Sequence, residues 1–160
     1  MTTRTIIACL LLVLPRLQAQ EPAASASPAP ADDAAAPSAD DAQVALRARL
    51  LDFAGALGNE GFKIRDGYWS GALDAGKVRR LRVNLLAGNQ YWFCAAVPED
   101  ARGLKIEVYD PAGKPAGSVP HKAPGLAAAG VTAEATGPYF VELQGSAGPS
   151  RPFCLIYLFK

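Results

Sequence analysis

Arg80-Leu81-Arg82-Val83-Asn84-Leu85, then Leu86-Ala87-Gly88-Asn89, then Gln90-Tyr91-Trp92-Phe93-Cys94-Ala95-Ala96-Val97: across this stretch the apolar positions first alternate, then stop, then become continuous. Leu81, Val83 and Leu85 interleave with Arg80, Arg82 and Asn84, so an extended chain sends one set to each face. That is a half-buried strand. Ala87-Gly88-Asn89 is a turn, because glycine and asparagine tolerate the backbone angles a tight reversal requires. Residues 90–97 are apolar on both faces, as in a central strand covered on both sides or a strand with one face beneath a helix. The second strand therefore needs cover on both faces.

Working outward, the alternation recurs at Leu104, Ile106 and Val108, and again at Tyr139, Val141 and Leu143, while residues 153–159 repeat the doubly apolar type. Turn signals separate these runs: Asp74-Ala75-Gly76, Asp110-Pro111-Ala112-Gly113, and residues 145–149. No crossover helix fits between strands this closely spaced, which favours a mostly β fold, an antiparallel β-sandwich, over an α/β fold. The Ala-rich middle of residues 125–137 admits a weak helix, but Val131-Thr132-Ala133 before Thr136-Gly137-Pro138 reads better as a strand and loop.

Before the sandwich the period changes to that of a helix. Residues 42–58 are good helix formers, Asp40 or Asp41 supplies a cap, and Gly58 supplies a stop. The spacing predicts an amphipathic helix packed on the following domain through Leu50, Leu51, Phe53 and Leu57; the alternative is a free amphipathic helix that binds a partner or a membrane. Residues 20–41 hold Ala, Pro, Ser and Asp with no aromatic or large aliphatic side chain, the composition of a disordered tether. Residues 1–19 read as a signal peptide: Arg4, a short apolar run at 6–14, Pro15, and Ala19 just before the cut. The run is too short to span a bilayer, which needs roughly 20 residues. Cys9 lies too early in it for a lipidation box. The domain organisation expected is therefore signal peptide 1–19, linker 20–41, helix 42–58 and sandwich 59–160, in a periplasmic or secreted protein with no transmembrane segment after cleavage.

Signal removal leaves Cys94 and Cys154, and in an oxidising compartment such a pair is a candidate disulfide. A bridge closing a loop of about 60 residues is worth roughly 4 kcal/mol; the alternative is two buried thiols acting as small hydrophobes. Two thiols and one histidine fall short of a zinc site. The formal charge of +1 includes Arg4 and Arg16, so the mature chain is near neutral, which argues against a nucleic-acid partner.

Four pieces of this sequence, in order, carry a family resemblance: Gly71-Ala72-Leu73-Asp74-Ala75-Gly76; Leu85-Leu86-Ala87-Gly88-Asn89-Gln90-Tyr91-Trp92-Phe93; Ile106-Glu107-Val108-Tyr109-Asp110-Pro111-Ala112-Gly113; and Ala135-Thr136-Gly137-Pro138-Tyr139-Phe140-Val141-Glu142-Leu143. Together, over residues 67–159, they resemble the bacterial pre-peptidase C-terminal domain. The resemblance implies a jelly-roll-like sandwich found in secreted proteins, beside a hydrolase or alone behind a signal peptide. Where some relatives carry an acidic strand, this sequence has Gly103-Leu104-Lys105-Ile106, so no calcium site is carried over and the metal expectation is none.

Catalytic chemistry is not advertised. Hydrolysis through serine or cysteine needs a base, and the one histidine, His121, lies in a Pro-flanked stretch read as a solvated loop. No Gly-x-Ser-x-Gly elbow is present. The acids mostly occupy turns or alternate strand positions, although Glu99, Asp100 and Asp110 could meet at one end as oxygen ligands. Neighbouring aromatics offer a different chemistry. Tyr68 with Trp69, and Tyr91 with Trp92, point to opposite faces of their strands, so Tyr68, Trp69 and Trp92 are candidate ligand-binding aromatics; the alternative has one ring in the core and the other beneath the helix. These observations lead to the expectation of a non-enzymatic binding or accessory module without cofactor, contacting another envelope or extracellular protein. The alternative is a carbohydrate-binding module using an exposed aromatic on a polysaccharide.

Overall fold

In the computed structural model, which describes residues 38–145 and 148–160, the helical pattern becomes α1 (Ala39–Gly58) and the alternating patterns become strands. These are β1 (Lys63–Ile64), β2 (Trp69–Leu73), β3 (Val78–Leu85), β4 (Gln90–Ala96), β5 (Lys105–Tyr109), β6 (Ser118–Ala123), β7 (Leu126–Thr132), β8 (Gly137–Gln144) and β9 (Arg151–Phe159). The expected signal peptide and nearly all of the linker lie outside the described residues. Every strand pairing is antiparallel. One sheet runs β1-β9-β4-β7-β6, with β2 on the same edge of β9 as β1; the other runs β3-β8-β5. The fold is the mostly β, antiparallel sandwich preceded by one helix.

Alternation builds the inter-sheet core. Val83 and Leu85 from β3, Tyr139, Val141 and Leu143 from β8, and Val108 from β5 meet Phe93, Ala95, Phe153 and Leu155 from the larger sheet. The two tyrosines that enter this core keep their hydroxyls bonded at its ends: Tyr91 Oη accepts from Leu86 N (2.9 Å) and Tyr139 Oη from Ala135 N (3.3 Å). Satisfying the buried oxygen is what allows so large an amphipathic ring inside.

A second core lies on the outer face of the larger sheet, under α1. Leu46, Leu50, Ala54 and Leu57 press on Cys94, Ala96, Ala128, Cys154, Ile156 and Leu158. Small side chains in this floor, Cys94, Ala96, Ala128 and Cys154, let the helix approach closely. The helix starts earlier than expected and is capped by Ser38: its Oγ accepts from Asp41 N (3.1 Å) while the Asp41 carboxylate accepts from Ser38 N (3.2 Å), a reciprocal capping box. Asp40 and Asp41 therefore occupy the first turn, and residues 39–41 of the expected linker belong to the helix. Leu51 is 42% exposed and Val44 69%, so neither seats the helix; Leu46 takes the position assigned to Leu51. Arg49 ties the helix to the sheet end by donating to Val97 O (3.2 Å) and Pro124 O (2.7 Å), with Glu99 3.4 Å away.

Two further readings change. The Ala-rich segment is not a weak helix but a strand and loop, and the strand starts earlier than Val131: β7 is a central strand, buried from Leu126 to Val131. The Pro-flanked stretch around His121 is edge strand β6, where Pro120 is tolerated because an edge position leaves its missing N–H facing away from the ladder. No helix among the described residues is long and apolar enough to cross a membrane.

Candidate functional site

The sandwich has two outer faces, and registers place their residues in rows. On the larger sheet, Lys160, Gln90, Thr132 and Gly117 begin the face; the next row is Leu158, Trp92, Gly130 and Val119; then come Ile156, Cys94, Ala128 and His121, and finally Cys154, Ala96, Leu126 and Ala123. The helix covers the last two rows, and His121 reaches it with its ring centroid 4.8 Å from that of Phe53. His121 is thus a strand residue beside the helix.

Cys94 and Cys154 both lie under α1, fully buried, as free thiols. This corrects the expected bridge, and the register gives the reason. Cys94 faces Ile156 and Cys154 faces Ala96, so the two are offset by two residues on adjacent strands. Diagonal partners stand about 7–8 Å apart at Cα, beyond the usual reach of a disulfide. Burial pushes the Cys94 thiol up to about 12 and raises that of Cys154, so these cysteines serve as small apolar side chains.

The candidate aromatics do not form one platform. Trp69 is half-buried, stacks on Tyr157 at 5.7 Å and packs against the inter-sheet core. Tyr68 is 49% exposed, and the Arg47 guanidinium of α1 lies 4.8 Å over its ring. Trp92 is half-buried on the opposite outer face from the inter-sheet core, beside α1. A Cβ built on its cross-strand partner Gly130 would lie 2.8, 2.8 and 3.1 Å from Cε2, Cζ2 and Cδ2 of the indole. Near-equal distances to three atoms of the six-membered ring put that point over the ring face, so the indole lies across Gly130. It lines a groove of about 340 Å³ with Phe62, Val119, Gln90, Thr132, Glu60 and Lys160. One ring in the core and one beside the helix is close to the alternative weighed from the sequence.

The smaller sheet's outer face is different. No helix lies on it among the described residues, and its rows are Val78–Gln144–Lys105, Arg80–Glu142–Glu107 and Arg82–Phe140–Tyr109. Glu107 and Glu142 face each other directly, a repulsive pair by itself. Arg80 offsets it by donating from Nε to Glu142 (2.7 Å), and Tyr109 donates its hydroxyl to Glu107 (2.8 Å). That bond to Glu107 raises the Tyr109 phenol above its ordinary range, burial adding to it. Phe140 and Tyr109 are half-buried, Arg82 is exposed, and Arg79 and Arg82 have no ion-pair partner among the described residues. This arrangement suits recognition: aromatic and guanidinium groups are the side chains that dominate binding energies at protein interfaces. The sequence singled out none of these residues, because which outward positions become neighbours depends on strand pairing.

Glu99, Asp100 and Asp110 do not gather. Glu99 sits by Arg49, Asp100 pairs with Arg151 (2.8 Å), and Asp110 accepts from the backbone N–H groups of Ala112 (2.9 Å) and Lys114 (2.8 Å). Each carboxylate is engaged by its own neighbours. Among the described residues the fold is thus an antiparallel β-sandwich with α1 over part of one outer face and no helix over the other. No protein-family model and no curated protein matches the sequence.

Proposed function

We propose that this chain is an exported, non-enzymatic binding module of the periplasm or extracellular space, and that the bare face of β3-β8-β5 contacts another envelope or extracellular protein. The observation that carries the reading is the asymmetry of cover. The larger sheet has two rows of its outer face under α1, whereas the smaller one, with no helix over it among the described residues, presents Arg82, Phe140 and Tyr109 in a row beside a charged row. The signal-like residues 1–19 support export. Kinship with the pre-peptidase C-terminal domain belongs to the same proposal and draws support from the two-sheet architecture and from Gly76, Gly88 and Gly113, which take positive φ at the turns the resemblance assigns to glycine.

A photo-crosslinking side chain placed at position 82, and separately at 44 on the solvent side of the helix, tests the assignment in intact cells. An adduct of defined mass from position 82 and none from 44 is expected. Adducts from neither, or equal adducts from both, would remove the bare face from consideration.

A second reading rests on Trp92. An indole lying flat across Gly130, with Gln90, Thr132, Glu60 and Lys160 around its groove, offers a stacking surface with a polar rim, the complement of a sugar ring's apolar face and hydroxyls. Trp69→Phe leaves Trp92 as the chain's one tryptophan. Saturable quenching of its fluorescence by cello- or chito-oligosaccharides is the outcome that favours polysaccharide over protein as ligand; a flat titration removes it.

A further inference from the structure

β3 is the long open edge of this sandwich. It pairs with β8 over all eight of its residues without interruption and with nothing on its other side among the described residues. The other edges are short or blocked. β1 and β2 have two and five residues, β6 carries Pro120 in mid-strand, and the five-residue β5 is blocked at its C-terminal end by residues 114–116, with Asp110 N bonded to Lys114 O and Ala116 N to Val108 O, both 2.8 Å. Every second residue of β3 therefore turns its N–H and C=O toward solvent in an unfilled ladder.

The same edge is strongly basic. Arg80 and Arg82 stand on the outer face and Arg79 on the inner one, exposed at the open edge beside the core residue Leu143. Arg80 is held by Glu142; Arg79 and Arg82 are the cations without ion-pair partners noted above. Like charge makes β3 a poor partner for the β3 of a second copy. The same charge attracts a strand whose side chains are acidic.

We propose that β3 receives an extended acidic segment of a partner protein as an added antiparallel or parallel strand, its backbone completing the β3 ladder and its carboxylates meeting Arg82 and Arg79. This rests on the protein-binding reading above and specifies its mode. Backbone bonds supply strand-to-strand affinity, and the arginines supply the choice of sequence.

The test uses the isotope-labelled protein and a peptide as long as β3, eight residues, of glutamate and valine with glutamates three apart, so that one lies on each face as Arg79 and Arg82 do. Controls are the lysine–valine counterpart and an acidic peptide of the same charge interrupted by proline. Saturable shifts centred on the β3 amides, slowed hydrogen exchange at alternate residues of β3, and weakening by about tenfold or more on Arg79→Glu with Arg82→Glu are expected. Both side chains are exposed, so the variant keeps its fold, checked by its unperturbed amide spectrum away from β3. Equal binding by the proline-interrupted peptide would show attraction by charge alone and overturn strand addition. No saturable binding by the uninterrupted acidic peptide would overturn it too. In either of those cases a position-82 crosslink that persists in cells would leave the protein-binding reading standing, and its loss would bring down both.

Discussion

At Gly130 there is room for a hydrogen and nothing larger, because the indole of Trp92 occupies the position of the missing side chain. Gly130→Ala must lift that ring, and overpacking of this kind costs about 1–3 kcal/mol; urea denaturation should show the loss, and adding Trp92→Leu should recover most of it, a non-additivity expected of touching residues. The thiols make a second prediction. The Cys94 proton is held up to about 12, against 9.0 for the free side chain, so the folded state retains protons that the unfolded chain has released above pH 9. The stabilising contribution is therefore complete below pH 9 and is lost as pH rises toward 12, with a slope of up to about 1.4 kcal/mol per pH unit. Denaturation midpoints measured from pH 8 to 11 should fall more steeply for the parent than for Cys94→Ala with Cys154→Ala. A parallel fall would mean that other groups govern the alkaline limb.

At the scale of elements, α1 shows where the sequence was legible and where it was not. Its last residue is Gly58 as expected, but Gly58 is still helical: Asn59 is the cap in right-handed geometry and the left-handed turn falls at Gly61. Its existence followed from composition and spacing. Its buried face did not, since Val44, Leu51, Ala54 and Leu57 satisfy helical spacing as well as Leu46, Leu50, Ala54 and Leu57 do, and only packing against β4 and β9 selects the second set. Leu50→Ala should cost about 2–5 kcal/mol, as deletion of a fully buried leucine does. Leu51→Ala should stay within about 0.5 kcal/mol of the parent; equal losses in thermal or urea unfolding would refute the assigned face. The strands β3, β4, β5, β8 and β9 were legible because alternation or a doubly apolar run marks them directly. β6 was not, and β7 only at its Val131-Thr132 end: proline and consecutive alanines have low strand propensity, and the packing between β4 and the edge overrides it. As for the site, Trp92 was picked out as a residue type, but its bed on Gly130 is a fact of register. The Arg82–Phe140–Tyr109 row joins three separate segments of chain and carries no local signal at all.

For the whole molecule, α1 is both a structural layer and a cover. A chain beginning at Glu60 would keep all nine strands but expose Cys94, Ala96, Ala128, Ile156 and Leu158 together. A contiguous apolar face of that kind drives association, so sedimentation should find self-association of the truncated protein where the full chain stays monodisperse. If the truncated protein is equally monodisperse, the helix is an appendage rather than a cover. The offset of the two cysteines reaches further still. Sliding β9 along β4 by one residue would turn every side chain to the wrong face, but sliding by two preserves inside and outside and brings Cys94 directly opposite Cys154. The register thus makes the thiols a gauge of strand slippage: the correctly threaded protein keeps them apart, and a disulfide found after oxidative refolding would mark molecules that zipped two residues out of step, an otherwise silent threading error that reduction would release.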